Sequence, residues 1–180
     1  MLWNQRWEYD KGPAEFGAAI RALVDAGVPF DLALAGERPV DDPPELAALR
    51  SLLGERLVHD GHAGPDEYRD LLCRADVVVS TAHHEFFGVA ITEAVYAGAF
   101  PVLPDRLVYP ERIPPEHHGA CLYRDDHELV DRMRWALTHR QDAAAIADAL
   151  RPAMAACDWS VVAPRYDALF AGAMPVSSAG

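Results

Sequence analysis

Short runs of apolar residues alternate with segments of helical periodicity from the N-terminus to Tyr123. Glycine and proline separate most of these segments, as expected for turns. The alternation is typical of consecutive βα units and predicts a sheet of about six strands. These strands are expected at residues 2–6, 30–35, 56–59, 76–80, 100–103 and 120–123.

Between the predicted strands lie segments long enough for two or more helical turns. Several begin at a proline, which the first turn of a helix accommodates, and end at a glycine, which favours helix termination. After Tyr123 the pattern is helical throughout. The predicted helices cover residues 13–26, 44–53, 65–73, 89–97, 125–139, 141–156 and 161–170.

The strand at residues 76–80 carries Val77, Val78 and Val79 in succession. Such a run indicates a strand that is covered on both faces, as in a parallel sheet between two layers of helices. The sequence therefore predicts an α/β fold, a Rossmann-like domain with a mostly parallel sheet and helices on both faces, over residues 1–172. Residues 173–180 contain Pro, Ser and Gly and are expected to form a flexible tail.

The chain has 180 residues, 51% of them hydrophobic, which suits one domain with a sizeable core. Asp and Glu number 28 against 16 Lys and Arg, and the net charge of -12 argues against a domain that grips nucleic acid by itself, since phosphate contacts need clustered cations. No apolar run approaches the roughly 20 residues of a membrane-spanning helix, and the N-terminus lacks the pattern of a signal peptide. A cytoplasmic protein without a membrane partner is expected.

Several common catalytic and metal-binding motifs are absent from the sequence. The cysteines and histidines show no zinc-ligand spacing, and there is no Asp-x-Asp pair to clamp a metal-bound diphosphate. We therefore expect no metal ion and no other cofactor. The nucleophile elbow, the phosphate loop and the dinucleotide fingerprint are missing as well, which argues against a hydrolase, a kinase or a dehydrogenase.

The most informative segment joins the predicted strand at 76–80 to the predicted helix at 89–97. In open α/β sheets, ligands bind where parallel strands end, and a helix N-terminus there offers free N–H groups to an anion. Gly88 permits a close approach of the ligand, and Glu85 and Glu93 are expected to present carboxylates to sugar hydroxyls in the same space. The alternative is that both glutamates are ordinary solvated carboxylates.

A second candidate segment follows the first predicted strand. Arg6 and Lys11 are five residues apart across a predicted turn, so both can reach one diphosphate. Arg offers a bidentate fork and Lys a compact charge, a combination suited to phosphate oxygens. The alternative is a pair of surface cations that form ion pairs with Glu8 and Asp10.

Glycines also follow the second and third predicted strands. Gly36 comes after the second strand, and the segment at 60–64, which includes Gly61 and His62, comes after the third. Both places suit a close approach of backbone to a ligand, and both are equally compatible with a plain turn.

Taken together, these motifs resemble the C-terminal, donor-binding domain of the retaining GT-B glycosyltransferases of family 4. Members carry an Arg after the first strand with Lys-Gly five residues on, matched here by Arg6 and Lys11-Gly12. They also carry a Glu-x7-Glu element with an embedded Phe-Gly, matched from Glu85 to Glu93, and then Glu-Ala and Gly-x-x-Pro. The resemblance covers roughly residues 2–170.

The resemblance implies a role for each matched residue. Arg6 and Lys11 would neutralise the departing diphosphate and Glu85 would meet the sugar, which makes these three the expected catalytic residues. Glu93 would hold the ribose hydroxyls, and the loop at 61–64 would distinguish guanine from uracil. Stabilisation of the leaving group would be electrostatic and would need no metal. The expected donor-binding residues are Phe86, Phe87, Gly88, Glu93, Gly61 and His62.

Longer strings at residues 6–11, 84–90 and 107–111 are similar to members of the family that transfer mannose from GDP-mannose to queuosine in a tRNA anticodon. The resemblance implies a retaining mannosyltransferase with a nucleotide sugar as donor. Family members hold the acceptor in a separate N-terminal Rossmann-like domain, and this chain starts at the first strand of the second domain. We therefore expect that domain, or a separate chain, to be a partner that supplies the surface for tRNA.

On this interpretation the chain alone has little or no transferase activity. Two alternatives remain open at this point. The chain can be a stand-alone or truncated nucleotide-sugar-binding module, or a family 4 transferase with another donor and acceptor.

Overall fold

A computed structural model describes residues 1–37 and 44–173. Within these residues the strands form one six-stranded sheet with the order β3-β2-β1-β4-β5-β6, and every neighbouring pair is parallel. The strands are β1 (Leu2–Trp3), β2 (Leu32–Ala35), β3 (Leu57–Gly61), β4 (Val77–Val79), β5 (Phe100–Pro104) and β6 (Leu122–Tyr123).

Helices connect the strands and form the C-terminal part of the described chain. They are α1 (Pro13–Asp25), α2 (Pro44–Leu53), α3 (Pro65–Arg74), α4 (Val89–Ala97), α5 (Tyr109–Arg112), α6 (His118–Cys121), α7 (Asp126–Thr138), α8 (Arg140–Ala155) and α9 (Trp159–Ala173). Short 3-10 helices lie at Tyr9–Lys11, Gly54–Arg56 and Pro115–His117. The predicted α/β fold with a parallel sheet is confirmed.

Four predicted strands are shorter in the structure, namely β1, β2, β4 and β6, and the first and the last of them lose half or more of their residues. β1 ends at Trp3 because Asn4 and Gln5 turn their side chains into hydrogen bonds with other segments. The last predicted strand loses its first half to α6, so that β6 begins at Leu122. The predicted tail starts at residue 173, which is the end of α9, and residues 174–180 lie outside the described part of the chain.

The strand order creates a crevice between β1 and β4. The chain runs from β1 outward through β2 to β3 and then returns to the other side of β1, where Leu2 pairs with Val78 of β4. At such a reversal the loops that follow the two neighbouring strands lead to helices on opposite faces of the sheet. The space between them is the expected place for a ligand.

Apolar side chains cover both faces of the sheet. Trp3 is fully buried and its ring stacks on Phe16 of α1 at 5.2 Å between centroids. α1 contacts α2 and α7, whereas α4 contacts α3 and α8, so these helices form two groups that meet where α7 contacts α8. No helix within residues 1–37 and 44–173 combines the length and the apolar character needed to cross a membrane.

Candidate functional site

The loops after β1 and β4 are joined to each other at the carboxyl end of the sheet. The backbone N–H of His83 donates to the carbonyl of Asp10 at 2.8 Å, and the Thr81 hydroxyl donates to the carbonyl of Lys11 at 2.7 Å. Because these contacts connect residues about 70 positions apart, they hold the two predicted binding segments side by side.

Gly12 makes this close approach possible. Its φ of 65° lies in the left-handed region, and a Cβ at this position would lie 2.4 Å from the carbonyl oxygen of Thr81. A side chain is therefore excluded both by backbone strain and by contact with the opposite loop. The glycine after the predicted cation is needed for the fold of the site.

Lys11 and Glu85 come together in this region. The Lys11 ammonium donates to the carbonyl of His84 at 2.7 Å and lies 3.4 Å from Oε2 of Glu85 and 3.4 Å from Oδ2 of Asp10. The Lys11 side chain is only 11% exposed, so solvent screens these contacts less than those of an ordinary surface pair.

Glu85 organises the start of α4 with its other oxygen. Oε1 accepts hydrogen bonds from the backbone N–H groups of Phe86, Phe87 and Gly88, at 3.0, 3.4 and 3.1 Å. Partial burial by itself raises the pKa of this carboxyl group, but the bonds from Gly88 and Phe86 together with Lys11 outweigh it and hold the pKa below its ordinary value. Glu85 is therefore a carboxylate at neutral pH.

The backbone N–H groups of the expected donor-binding residues Phe86, Phe87 and Gly88 thus point at Glu85. Gly88 precedes α4 with a φ of 76°, which confirms the predicted helix start. The ring of Phe86 is exposed, whereas the guanidinium of Arg112 covers the ring of Phe87 at 3.8 Å and donates to its carbonyl at 3.2 Å. Arg112 holds this loop from outside and was not recognised in the sequence.

Arg6 is not brought into this arrangement. Its side chain is 54% exposed and forms an ion pair with Glu8 at 2.9 Å. Within the described part of the chain, the recorded contacts of Arg6 include neither Lys11 nor Glu85. Both ion pairs of the alternative interpretation are present, that of Arg6 with Glu8 and that of Lys11 with Asp10, but Lys11 also reaches the opposite loop.

Glu93 lies on α4 and contacts α3. The Tyr68 hydroxyl donates to Oε2 of Glu93 at 3.0 Å. The side-chain amide of Asn4 in turn donates to the Tyr68 oxygen at 3.0 Å and to the carbonyl of Ala90 at 2.8 Å. Three segments of the carboxyl edge, the end of β1, α3 and the first turn of α4, are connected through these side chains.

Gly61 and His62 lie at the edge of the sheet, because β2 separates β3 from β1. The carbonyl of Gly61 accepts a hydrogen bond from the N–H of Gly36 at 3.0 Å, and His62 is exposed. In residues 1–37 and 44–173 neither residue has a recorded contact with the loops after β1 and β4. Their assignment to the donor site stays a prediction.

A buried polar cluster lies beneath the site. The sequence did not predict it. The Gln5 amide donates to the Ser80 hydroxyl at 3.1 Å, and that hydroxyl lies 2.7 Å from the hydroxyl of Tyr109. The Tyr123 hydroxyl donates to the carbonyl of Ser80 at 2.9 Å. Burial raises the pKa of Tyr109 to about 12, so the phenol stays neutral. A polar residue that ends an apolar strand, such as Ser80 after Val79, was the available signal.

The side chains of the site indicate which kind of ligand it can bind. Among the described residues, no group of three or more His, Cys, Asp or Glu side chains is arranged to hold a metal ion. The site instead combines one cation of low exposure, one ionised carboxylate and the first turn of a helix. Such groups suit an anionic ligand that carries hydroxyl groups.

Three curated proteins with similar sequences are mannosyltransferases by name. The chain is 38% identical over 133 residues to the tRNA-queuosine alpha-mannosyltransferase of Drosophila melanogaster, an alignment that covers 74% of this chain and 34% of the relative. It is 28% identical over 148 residues to the GDP-mannose:cellobiosyl-diphosphopolyprenol alpha-mannosyltransferase of Xanthomonas oryzae, covering 79% and 38%. The chain thus spans little more than a third of the length of these relatives.

Solved structures with the same fold have lower sequence identity. Sucrose-phosphate synthase from Thermosynechococcus elongatus has a TM-score of 0.76 at 22% identity, over 96% of this chain and 46% of that one. An Anabaena protein solved in complex with UDP and glucose has a TM-score of 0.73 at 20% identity, over 96% and 48%. These similarities establish the fold, which is that of GT-B glycosyltransferases.

A family model connects the sequence motifs with this fold. The model described as "Glycosyl transferases group 1" matches residues 2–151, a range that contains β1 to β6 and both loops of the candidate site. The match extends over well more than half of the 180 residues. The chain belongs to the group 1 glycosyl transferases.

Proposed function

We propose that the chain is the donor-binding part of a retaining mannosyltransferase that uses GDP-mannose. The observation that carries this proposal is the meeting of Lys11 and Glu85 beside the first turn of α4, at the crevice between β1 and β4. In this position a cation faces the place where a diphosphate would depart, and a carboxylate faces the place of the sugar.

Lys11 supports the departure of the nucleoside diphosphate. As the bond to the anomeric carbon breaks, negative charge grows on the diphosphate oxygen, and a preorganised cation of low exposure stabilises that charge more than it stabilises the intact donor. The positive end of α4 adds to the effect. Arg6, whose partner Glu8 is equally exposed, is free to exchange this ion pair for a phosphate contact.

Glu85 and Glu93 bind hydroxyl groups on either side of the diphosphate. Glu85 has its Oε1 engaged by backbone N–H groups, so Oε2 beside Lys11 is the oxygen that accepts a bond from the sugar. Glu93, exposed on the first turns of α4, accepts bonds from the ribose. Because Lys11 and the helix N-terminus supply the positive charge, we propose that no metal ion is required.

The names of the relatives support mannose as the transferred sugar and GDP as its carrier. The Drosophila relative is named for transfer to tRNA-queuosine, and the two Xanthomonas relatives are named for GDP-mannose and a diphosphopolyprenol acceptor. The higher identity to the Drosophila protein favours queuosine in tRNA as the acceptor of this chain.

Sugar transfer also needs a second wall that holds the acceptor at near-attack distance from the anomeric carbon. The described residues provide one wall at the carboxyl edge of one sheet. We propose that a further domain holds the acceptor and supplies the basic surface for tRNA, since this chain carries a net charge of -12. The chain alone then binds the donor but transfers little sugar.

Donor binding is tested by calorimetry with GDP-mannose, with and without EDTA. The expected results are binding that survives the chelator and a loss of roughly 10-fold or more in the Arg6→Met, Lys11→Met double variant, as removal of a hydrogen-bonded cation costs about 1.5–3 kcal/mol. Arg134→Met is the matched control, since Arg134 pairs with Asp131 on the same helix, α7. Loss of binding with EDTA, or an unchanged double variant, contradicts the assigned roles.

A second candidate function is a nucleotide-sugar-binding module without transferase activity, because the described residues form one sheet and thus one wall of the site. A radiolabelled GDP-mannose assay on queuosine-containing tRNA separates the two. It is run with this chain alone and with an added acceptor-binding domain. Transfer that needs both components supports the enzyme, whereas donor binding without any transfer supports the module. An α-configured product, identified by NMR, tests retention.

A further inference from the structure

Tyr68 connects the end of β1 with the carboxylate of Glu93 on α4. The Tyr68 hydroxyl donates to Oε2 of Glu93 at 3.0 Å, and Nδ2 of Asn4 donates to the Tyr68 oxygen at 3.0 Å. The same Nδ2 donates to the carbonyl of Ala90 at 2.8 Å. Because a carbonyl oxygen only accepts, this contact identifies the nitrogen side of the Asn4 amide and fixes the direction of the whole chain of hydrogen bonds.

Because the Asn4 amide donates to the Tyr68 oxygen, the Tyr68 hydroxyl acts as the donor toward Glu93. Asn4 occupies one lone pair of the hydroxyl oxygen, so its hydrogen points to the carboxylate. Burial raises the pKa of the Tyr68 phenol, and the negative charge of Glu93 raises it further, while the bond from Asn4 acts in the opposite direction. The phenol therefore keeps its proton at neutral pH.

Glu93 needs such support because it is an exposed side chain with several rotatable bonds. Within residues 1–37 and 44–173, the hydrogen bond recorded for its carboxylate is the one from Tyr68 to Oε2. Oε1 remains for a ligand. A carboxylate held in one orientation before binding loses less side-chain entropy when it receives a hydroxyl group.

The burial of Asn4 indicates that its hydrogen bonds to Tyr68 and Ala90 do more than stabilise the fold. Asn4 is 6% exposed, and its Oδ1 is buried without a recorded partner in the described residues. A buried acceptor without a partner costs free energy, which an apolar residue at the end of β1 would avoid. What the amide contributes in return is the hold on Tyr68 and on the first turn of α4.

We propose that Tyr68 is a positioning residue that holds Glu93 ready for the two ribose hydroxyls and thereby makes the site select ribonucleotides. The proposal rests on the function proposed above, in which Glu93 binds the ribose. Tyr68 acts through Glu93, and its contribution therefore depends on both the carboxylate and the hydroxyls.

The test measures binding of GDP and of dideoxy-GDP, which lacks both ribose hydroxyls, by calorimetry. Tyr68→Phe is expected to weaken GDP binding about 5-fold, the size of one hydrogen bond, and to leave the weaker binding of dideoxy-GDP within about twofold of the wild type. Tyr166→Phe on α9, an exposed tyrosine whose ring contacts Phe170, is the matched control and is expected to change neither affinity. Equal losses for both nucleotides in Tyr68→Phe would mean a purely structural role and overturn the proposal.

The Glu93→Gln variant separates this proposal from the function on which it rests. If Glu93→Gln weakens GDP but not dideoxy-GDP, and adding Tyr68→Phe weakens GDP no further, both assignments are supported. If Glu93→Gln has this effect while Tyr68→Phe alone behaves as wild type, the ribose role stands and the positioning role falls. If Glu93→Gln leaves GDP affinity unchanged, the ribose role itself is wrong and the positioning role falls with it.

Discussion

Two apolar helices, α4 and α9, differ in how far their side chains are buried. α4 buries Ile91, Ala94 and Val95 against the sheet and α8, whereas α9 has no buried residue in its described part. α9 leaves large side chains in solvent, Trp159, Tyr166, Leu169 and Phe170. An apolar sequence thus makes a helix available for packing, but the neighbouring elements decide whether it is packed.

The difference matters because the candidate site is built on the packed helix. The N-terminus of α4 faces the loop of Glu85, and its first turn is held by Asn4 and Tyr68. α9 follows α8 in the chain, and its large apolar side chains are exposed. Substitutions in α4 and the site loops can therefore be compared with substitutions at exposed positions.

The largest contrast is expected between Ile91→Ala in α4 and Leu169→Ala in α9. Ile91 is 4% exposed, so truncation removes buried contacts and leaves a cavity, at a cost of about 2–4 kcal/mol in the free energy of unfolding. Leu169 is 69% exposed, and its truncation is expected to change stability by less than about 0.5 kcal/mol. Urea unfolding measures both, and equal losses would mean that α9 is packed in solution.

Gly12→Ala and Gly27→Ala separate backbone strain from contact between the two loops. Both glycines have positive φ, 65° and 69°, but only Gly12 has a backbone oxygen in the way of a Cβ. We expect Gly27→Ala to cost about 1 kcal/mol and Gly12→Ala about 2–3 kcal/mol, since the latter also displaces the loop after β4. Thermal unfolding compares the variants. A Gly12→Ala protein as stable as Gly27→Ala would show that the loops separate easily.

Lys11→Met and Arg6→Met compare a largely buried, hydrogen-bonded cation with an exposed one. Lys11, with three recorded partners, is expected to contribute about 1.5–2.5 kcal/mol to GDP binding, seen as a loss of roughly 10- to 70-fold. Arg6 must first leave Glu8 and lose side-chain freedom, so its removal is expected to cost less than about 1 kcal/mol. Calorimetry on the single variants decides, and a larger effect of Arg6→Met would reverse the ranking.

The smallest effect is expected from the titration of Glu85. Its folded-state pKa lies below the ordinary value of 4.5, so its ionised form stabilises the fold at higher pH, and this contribution is lost as the pH falls through the folded pKa. The stability difference between wild type and Glu85→Gln should therefore shrink as the pH falls from about 6 to about 3. Unfolding in urea at several pH values measures it. A difference that grows on acidification would contradict the sign.

Local patterns were sufficient to place the longer helices and the central strand, but not the short helices α5 and α6. The predicted helices at 44–53 and 89–97 have the observed bounds, because proline and glycine mark their ends. The apolar run Val77–Val79 is a fully buried central strand, as its lack of alternation indicated. The end of β1 was placed too late, since Asn4 and Gln5 leave the strand for tertiary hydrogen bonds that no local pattern announces.

The sequence by itself determined the αβ alternation, the parallel sheet, the start of α4 at Gly88 and the identity of the candidate cations and carboxylates. Only the tertiary structure decided which of them meet, since Lys11 and Glu85 are 74 positions apart. It also brought Tyr68, which the sequence did not single out, to Glu93, 25 positions away. Periodicity and turn chemistry act over a few residues, whereas the strand order β3-β2-β1-β4 follows from packing of the whole chain. That order places Lys11 against Glu85 and leaves Gly61 at the edge.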